Sequence, residues 1–129
     1  MMQVNWENKI ILVVDDTKMN FVVLKTQLRK TNANVLWMEN GYDAVQYVKN
    51  GNKADLILMD IRMPVMDGIE ASRIIKEFNP CIPIVIQTAS VMGSAYDDIA
   101  YSNCDDTIFK PIDREKLIET IANQFDKYS

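Results

Sequence analysis

The chain has 129 residues, 48% of them hydrophobic and 25% charged, with a formal net charge of −4 at pH 7. That is enough for one domain with a core and too little for two. The composition is globular, and no Lys/Arg cluster offers a nucleic-acid or anionic-membrane surface. No apolar run approaches the roughly 20 residues that span a bilayer. Histidine is absent, which excludes His-ligated metal sites, His-based triads and a phosphohistidine carried by the chain itself.

Residues 1–8 lack the apolar stretch of a secretory signal and read as a lead-in or linker to a domain over 9–127. Five short apolar runs follow, at Ile10–Val14, Val35–Met38, Asp55–Met59, Ile82–Gln87 and Thr107–Phe109. They alternate with segments of helical character at Lys18–Lys30, Gly41–Asn50, Gly68–Phe78, Val91–Ser102 and Arg114–Lys127. The first helix is apolar nearly all round (Met19, Phe21, Val22, Val23, Leu24, Leu28) and is expected to be heavily buried. Asp67-Gly68 opens the third, with Ile69, Ile74, Ile75 and Phe78 on its apolar side and Asn79-Pro80 as its stop. The fourth, with Ser94, Asp97 and Asp98, has the weakest pattern. In the fifth, Leu117, Ile118, Ile121, Ala122 and Phe125 form an amphipathic stripe behind an Asp113 N-cap.

Alternating strands and helices, with strands apolar on both faces, predict a parallel sheet covered on each side. The fold class is α/β, flavodoxin-like (βα)5, a five-stranded parallel sheet in the order 2-1-3-4-5 with helices on both faces. Cys81 and Cys104 have no Cys-x-x-Cys spacing. They read as small, partly buried residues of a reduced compartment, hence cytoplasmic or on the cytoplasmic side of a membrane.

Open parallel sheets bind ligands beyond the carboxyl ends of their strands. Those ends carry Asp15 and Asp16 (strand one), Asp60 (strand three), Thr88 (strand four) and Lys110 (strand five). Carboxylates gathered at buried strand ends need neutralising, and a hard divalent cation with oxygen ligands, best Mg2+, does so. Lys110 adds a point charge able to meet Asp60 or an incoming phosphoryl oxygen. Thr88 and the Ala89 N–H add donors. A metal, an ammonium and donors around one carboxylate can stabilise phosphoryl transfer, and the carboxylate can itself be the nucleophile. Singly, each feature is commoner as a turn, a cap or a solvated loop residue; their joint placement at strand ends gives them weight.

These residues resemble the receiver domain of two-component response regulators. The likeness runs from about Lys9 to Phe125, through Ile11-Leu12-Val13-Val14-Asp15-Asp16, Asn40-Gly41-Tyr42-Asp43-Ala44 and Asp60-Ile61-Arg62-Met63-Pro64-Val65-Met66-Asp67-Gly68. It continues in Pro83-Ile84-Val85-Ile86-Gln87-Thr88-Ala89 and Cys104-Asp105-Asp106-Thr107-Ile108-Phe109-Lys110-Pro111. The spacings between Asp16, Asp60, Thr88 and Lys110 also match.

The resemblance implies that Asp60 is the phosphoacceptor, taking its phosphoryl group from a histidine kinase or a histidine phosphotransfer protein. It implies Mg2+ held by Asp16, Asp60 and the Arg62 backbone carbonyl, with Asp15 acting largely through water. Thr88 and Lys110 contact phosphoryl oxygens, and Lys110-Pro111 is a cis peptide. The resemblance further implies a domain that catalyses its own phosphorylation and dephosphorylation and has no separate substrate. Lys110-Pro111-Ile112-Asp113 and Asp15-Asp16-Thr17-Lys18-Met19-Asn20 look most like receivers of hybrid sensor histidine kinases.

Three positions bear on how the chain switches and resets. Thr107 stands where many receivers carry a switching aromatic, three residues before the lysine. Arg62 and Ser90, two residues past Asp60 and Thr88, border the path of attacking water; Arg62 is expected to tune the phosphoryl lifetime. Signals in the family leave through helix four, strand five and helix five. That face, expected to include Asp98, Tyr101, Thr107 and Lys116, could also form a weak homodimer. No nucleic acid and no membrane contact are expected.

The alternatives are a phosphorylation-independent interaction module, an Asp-nucleophile phosphatase and a flavodoxin. The haloacid dehalogenase type of phosphatase needs a second Asp two residues after the nucleophile, where this chain has Arg62. A flavodoxin is disfavoured by a carboxylate-lined crevice that repels flavin phosphate and a first loop without phosphate-cradling residues.

Overall fold

A computed structural model describes residues 4–89 and 95–128. Strands β1 (Ile10–Val14), β2 (Asn34–Met38), β3 (Leu56–Asp60), β4 (Ile84–Thr88) and β5 (Asp106–Phe109) alternate with helices α1 (Lys18–Leu28), α2 (Gly41–Lys49), α3 (Gly68–Phe78), α4 (Ala95–Tyr101) and α5 (Arg114–Lys127). All pairings are parallel and the sheet order is β2-β1-β3-β4-β5. The predicted architecture is therefore observed. The residues 90–94, which include Ser90 and the predicted start of the fourth helix with Ser94, lie outside the described residues.

Strand alternation divides the core into two layers. Leu12, Val14, Ile57, Met59, Ile84 and Ile86 point to one face and pack with Ala44, Val45 and Val48 of α2 and Ala71 and Ile75 of α3. Ile11, Val13, Leu56, Leu58, Val85 and Ile108 point to the other, against Leu24 and Leu28 of α1 and Leu117, Ile118 and Ile121 of α5. The central strands β1, β3 and β4 are buried on both faces. That burial explains their continuous apolar runs. Trp6 also belongs to the α1/α5 layer: it meets the Phe125 ring edge-on at 5.1 Å, and its backbone N–H donates to the Thr31 carbonyl at 2.6 Å.

Side-chain caps fix three helix starts. Asn40 accepts from the Asp43 N–H, Asp67 from the Glu70 N–H and Asp113 from the Lys116 N–H. The first helix departs from expectation. Only Leu24 and Leu28 are buried, while Met19, Val22 and Val23 are 67%, 44% and 46% exposed. A helix lying on a sheet touches it along one stripe, so apolar residues on the remaining circumference stay in water unless another layer covers them. Phe78 likewise ends α3 exposed, and Cys81 is exposed where partial burial was expected. Val22→Ser is expected to change unfolding free energy by less than ~0.5 kcal/mol, because Val22 belongs to neither layer of the core. A urea titration showing a larger loss would mean that the face is covered.

Candidate functional site

The strand ends converge as their chemistry suggested. Asp15 directly follows β1, Asp60 closes β3, Thr88 closes β4 and Lys110 directly follows β5. The carboxylates of Asp15, Asp16 and Asp60 each offer an oxygen within 4.8 Å of the others. The Lys110 ammonium reaches Asp60 Oδ1 at 3.2 Å, so one cation already meets the cluster from β5. The Lys110 backbone N–H donates to the Thr88 carbonyl at 2.9 Å, which ties the β4 and β5 ends together. The Lys110-Pro111 peptide is cis, as expected.

Local hydrogen bonds hold the acidic residues in place. Asp15 is fully buried. Its carboxylate accepts from the Thr17 backbone N–H at 2.9 Å and from Asn20 Nδ2 at 3.2 and 3.3 Å. Its backbone carbonyl accepts from the Trp37 indole at 2.8 Å. Burial pushes the Asp15 carboxyl above the usual carboxylate range and nearby Asp60 adds to the rise; the Thr17 N–H, Asn20 and Lys110 oppose it. Asp16 is exposed and accepts from the Thr17 hydroxyl at 3.4 Å. The set is one buried and one exposed carboxylate around a strand-terminal third, with charge left over after Lys110 is counted. All-oxygen donors with excess negative charge suit a small hard cation such as Mg2+. No soft or nitrogen ligand is present in the cluster.

The loop after Asp60 packs tightly beneath it. The Gly68 N–H donates to the Ile61 carbonyl at 2.8 Å. A Cβ at Gly68 would overlap the Asp60 carbonyl oxygen, so the approach of α3 to the end of β3 requires glycine there. Gly41 is confined in the same way by the Met66 carbonyl. Val65 adopts φ 71° and is the most exposed large apolar residue described, at 81%. Arg62 is exposed and lines a cleft of about 390 Å3 with Ile61, Met63, Asp67, Ile69 and Asp98. No pairing of its side chain is found among the described residues.

Thr107 is half-buried, and strand alternation puts Phe109 on its face of the sheet, one step nearer the site, opposite Thr88 in the β4–β5 register. Phe109 is half exposed, so the β5 aromatic sits beside the lysine instead of three positions before it.

One cluster went unread in the sequence because its members are spread along the chain. At the opposite end of the sheet, Asp105 Oδ2 takes the Lys76 ammonium at 2.6 Å and the Ile84 N–H at 2.7 Å. Asp105 Oδ1 takes the Tyr128 hydroxyl at 2.6 Å. Lys76 also donates to the Pro80 and Ile82 carbonyls. Asp105 had been visible only as part of the stretch before Lys110.

Comparison with known proteins agrees with this geometry. The family model described as "Response regulator receiver domain" matches residues 11–122. The autoinducer 1 sensor kinase/phosphatase LuxN of Vibrio campbellii is 34% identical over 125 residues, covering 97% of this chain and 14% of LuxN. The transcriptional regulatory protein ZraR of Klebsiella oxytoca is 39% identical over 112 residues, covering 87% of this chain and 25% of ZraR. The chain thus spans a quarter or less of the length of these relatives. Among solved structures, the receiver domain of a sensor histidine kinase from Pseudomonas aeruginosa, with magnesium coordinated in its active-site cleft, superposes with a TM-score of 0.84. It is 28% identical, with 92% of this chain and 98% of that one covered. No helix among the described residues is long and apolar enough to cross a membrane. With the five-stranded order, the clustered carboxylates and the family match together, this chain belongs to the response regulator receiver domains, the signalling modules of two-component phosphorelays.

Proposed function

We propose that Asp60 is the phosphoacceptor of this receiver domain and that Asp16, Asp60 and the Arg62 backbone carbonyl hold Mg2+, Asp15 supporting them through water. The observation that carries this reading is the meeting of Asp60 with Asp15 and Asp16 on one side and the Lys110 ammonium on the other. Asp60 closes β3 beside Asp15 and Asp16, so one carboxylate oxygen can attack phosphorus while the other, on Lys110 at the outset, is released as Lys110 turns to the phosphoryl group. When bound, Mg2+ supplies positive charge against the carboxylates and phosphoryl oxygens, which otherwise repel. In this reading Thr88 donates to phosphoryl oxygens from its hydroxyl and Lys110 does so by shifting from the carboxylate. The domain promotes its own phosphorylation and dephosphorylation by this positioning and acts on no further substrate.

The donor is a phosphohistidine on a histidine kinase or histidine phosphotransfer protein, a reading supported by the similarity to sensor kinases and their receiver domains. The exposed Met19, Val65 and Phe109 lie on elements around the strand ends and give such a partner apolar surface to cover. The exposed Tyr101, Asp98 and Lys116, with Phe109, support signal output or weak self-association through α4, β5 and α5. Arg62, exposed beside the site, tunes the phosphoryl lifetime. A domain of a larger hybrid kinase, working on the cytoplasmic side, fits these relations.

Acetyl phosphate with Mg2+ is expected to add one phosphoryl group per chain, seen by intact mass, with peptide mapping placing it on Asp60. Chelating the metal should remove the gain. Uptake at another residue, or uptake indifferent to Mg2+, would overturn the assignment.

A further inference from the structure

The row of the sheet that holds Asp60 continues into a residue with unmet hydrogen-bonding capacity. Gln87 of β4 lies opposite Asp60 in the β3–β4 register, and Ile108 of β5 lies opposite Gln87. Side chains in register on neighbouring parallel strands leave the same face of the sheet. Here it is the face toward α1 and α5, since Leu58, two before Asp60, and Val85, two before Gln87, both pack in that layer. Gln87 is 1% exposed, yet its Nε2 has no hydrogen-bond partner among the described residues. A buried donor without an acceptor is destabilising, and a position that only fills space is served by Leu or Met at similar volume. The Lys110 ammonium, starting from β5 and ending on Asp60 of β3, crosses the strand that carries Gln87. A buried amide whose Nε2 has no partner thus stands at the strand position paired with Asp60.

We propose that Gln87 is a positioning residue for Asp60, its carboxamide N–H taking the Asp60 oxygen when Lys110 leaves it for a phosphoryl group. This rests on Asp60 as phosphoacceptor. In hydrolysis of the acyl phosphate, the oxygen of water forms a bond to phosphorus as the bond from phosphorus to the Asp60 oxygen breaks. The electron pair of that bond stays on the carboxylate, and the proton of the water leaves with the phosphate and solvent. Negative charge therefore grows on the Asp60 carboxylate during the step. A fixed donor beside it stabilises that charge more in the transition state than in the neutral acyl group before it. Gln87 accordingly shortens the life of the phosphorylated state.

The test uses Gln87→Met and Gln87→Leu, which keep apolar volume and remove the donor. The full chain is phosphorylated with acetyl phosphate and Mg2+, the donor is removed, and decay of the acyl phosphate is followed by intact mass. Both variants are expected to lengthen the half-life by about threefold to tenfold, the value of one hydrogen bond in the transition state. Their melting temperatures should match or exceed the wild type, since an unpaired donor is gone. A half-life that is shortened, or unchanged in variants that take up phosphate, overturns the inference and leaves Asp60 as phosphoacceptor untouched; a change in melting temperature alone has the same force. Absence of covalent phosphate on the wild type removes both.

Discussion

Asp60→Asn is expected to abolish covalent phosphorylation while raising the melting temperature of the metal-free protein. The first effect follows from losing the oxygen proposed as the nucleophile. The second follows from the carboxylate cluster, in which three acids offer oxygens within 4.8 Å of one another. Asp15 already has its carboxyl pushed upward, by burial first and by Asp60 in addition. Removing the Asp60 charge relieves repulsion with both Asp15 and Asp16. The opposing loss is the Lys110–Asp60 pair at 3.2 Å, whose lysine is 29% exposed and partly screened. A pair of that kind contributes about 0–1 kcal/mol. The net gain should therefore be modest, about 1 kcal/mol. Added Mg2+ should narrow or reverse the difference, because it stabilises the form that binds it more tightly. Melting with and without Mg2+ is the measurement. A metal-free Asp60→Asn protein that melts below the wild type would show that the lysine pair outweighs the repulsion.

Asp105→Ala is expected to be the most destabilising single change outside the core, by about 3–5 kcal/mol. Asp105 joins five elements: it lies between α4 and β5, accepts from the first residue of β4, and binds Lys76 of α3 and Tyr128 just past α5. The side chains of Lys76 and Asp105 are only 9% and 13% exposed. Truncating Asp105 leaves a buried ammonium with only neutral partners, the Pro80 and Ile82 carbonyls and the Tyr128 hydroxyl, and strands the Ile84 N–H. Combining Asp105→Leu with Lys76→Met should recover much of the loss, since neither charge then remains unpaired.

Tyr128 supplies a second readout of the same network. Its hydrogen bond to Asp105 first, and burial next, hold the phenol up at about 12. A raised pKa here means that the neutral, donating phenol is favoured by the fold. That contribution is fully present below the ordinary value of 10.0 and is lost as pH climbs from there through about 12. In Asp105→Ala, spectroscopic titration of Tyr128 should move down toward the ordinary value. A phenol that titrates as in the wild type would sink the assignment of Asp105 as its partner.

The architecture was legible because its determinants are local. Apolar runs bounded by turn residues marked all five strands, and their burial on both faces required helices on each side. The caps Asp67 and Asp113 were legible for the same reason: each works on an N–H three residues away. Boundaries drifted by one or two residues, as where β3 runs to Asp60 and β4 begins at Ile84. The misreading of α1 has a different origin. Its sequence is apolar around the whole circumference, but burial depends on what packs against each face, and only the sheet side is covered.

The sequence by itself determined which residues make the candidate site: Asp15, Asp16, Asp60, Thr88 and Lys110 each stand at a strand end because the strands themselves are written in the chain. What it could not determine was contact between residues that are distant in sequence. Lys110 on Asp60, Gln87 beside Asp60 in an adjoining strand, and Asp105 between Lys76 and Tyr128 arise only when strand order and register bring them together. Phe109, an ordinary strand residue in the sequence, became the aromatic facing Thr88 by that same register. Hydrophobic periodicity acts over one or two turns and so specifies elements. The pairing of charges and donors across strands depends on the assembled sheet, so the tertiary structure decided it.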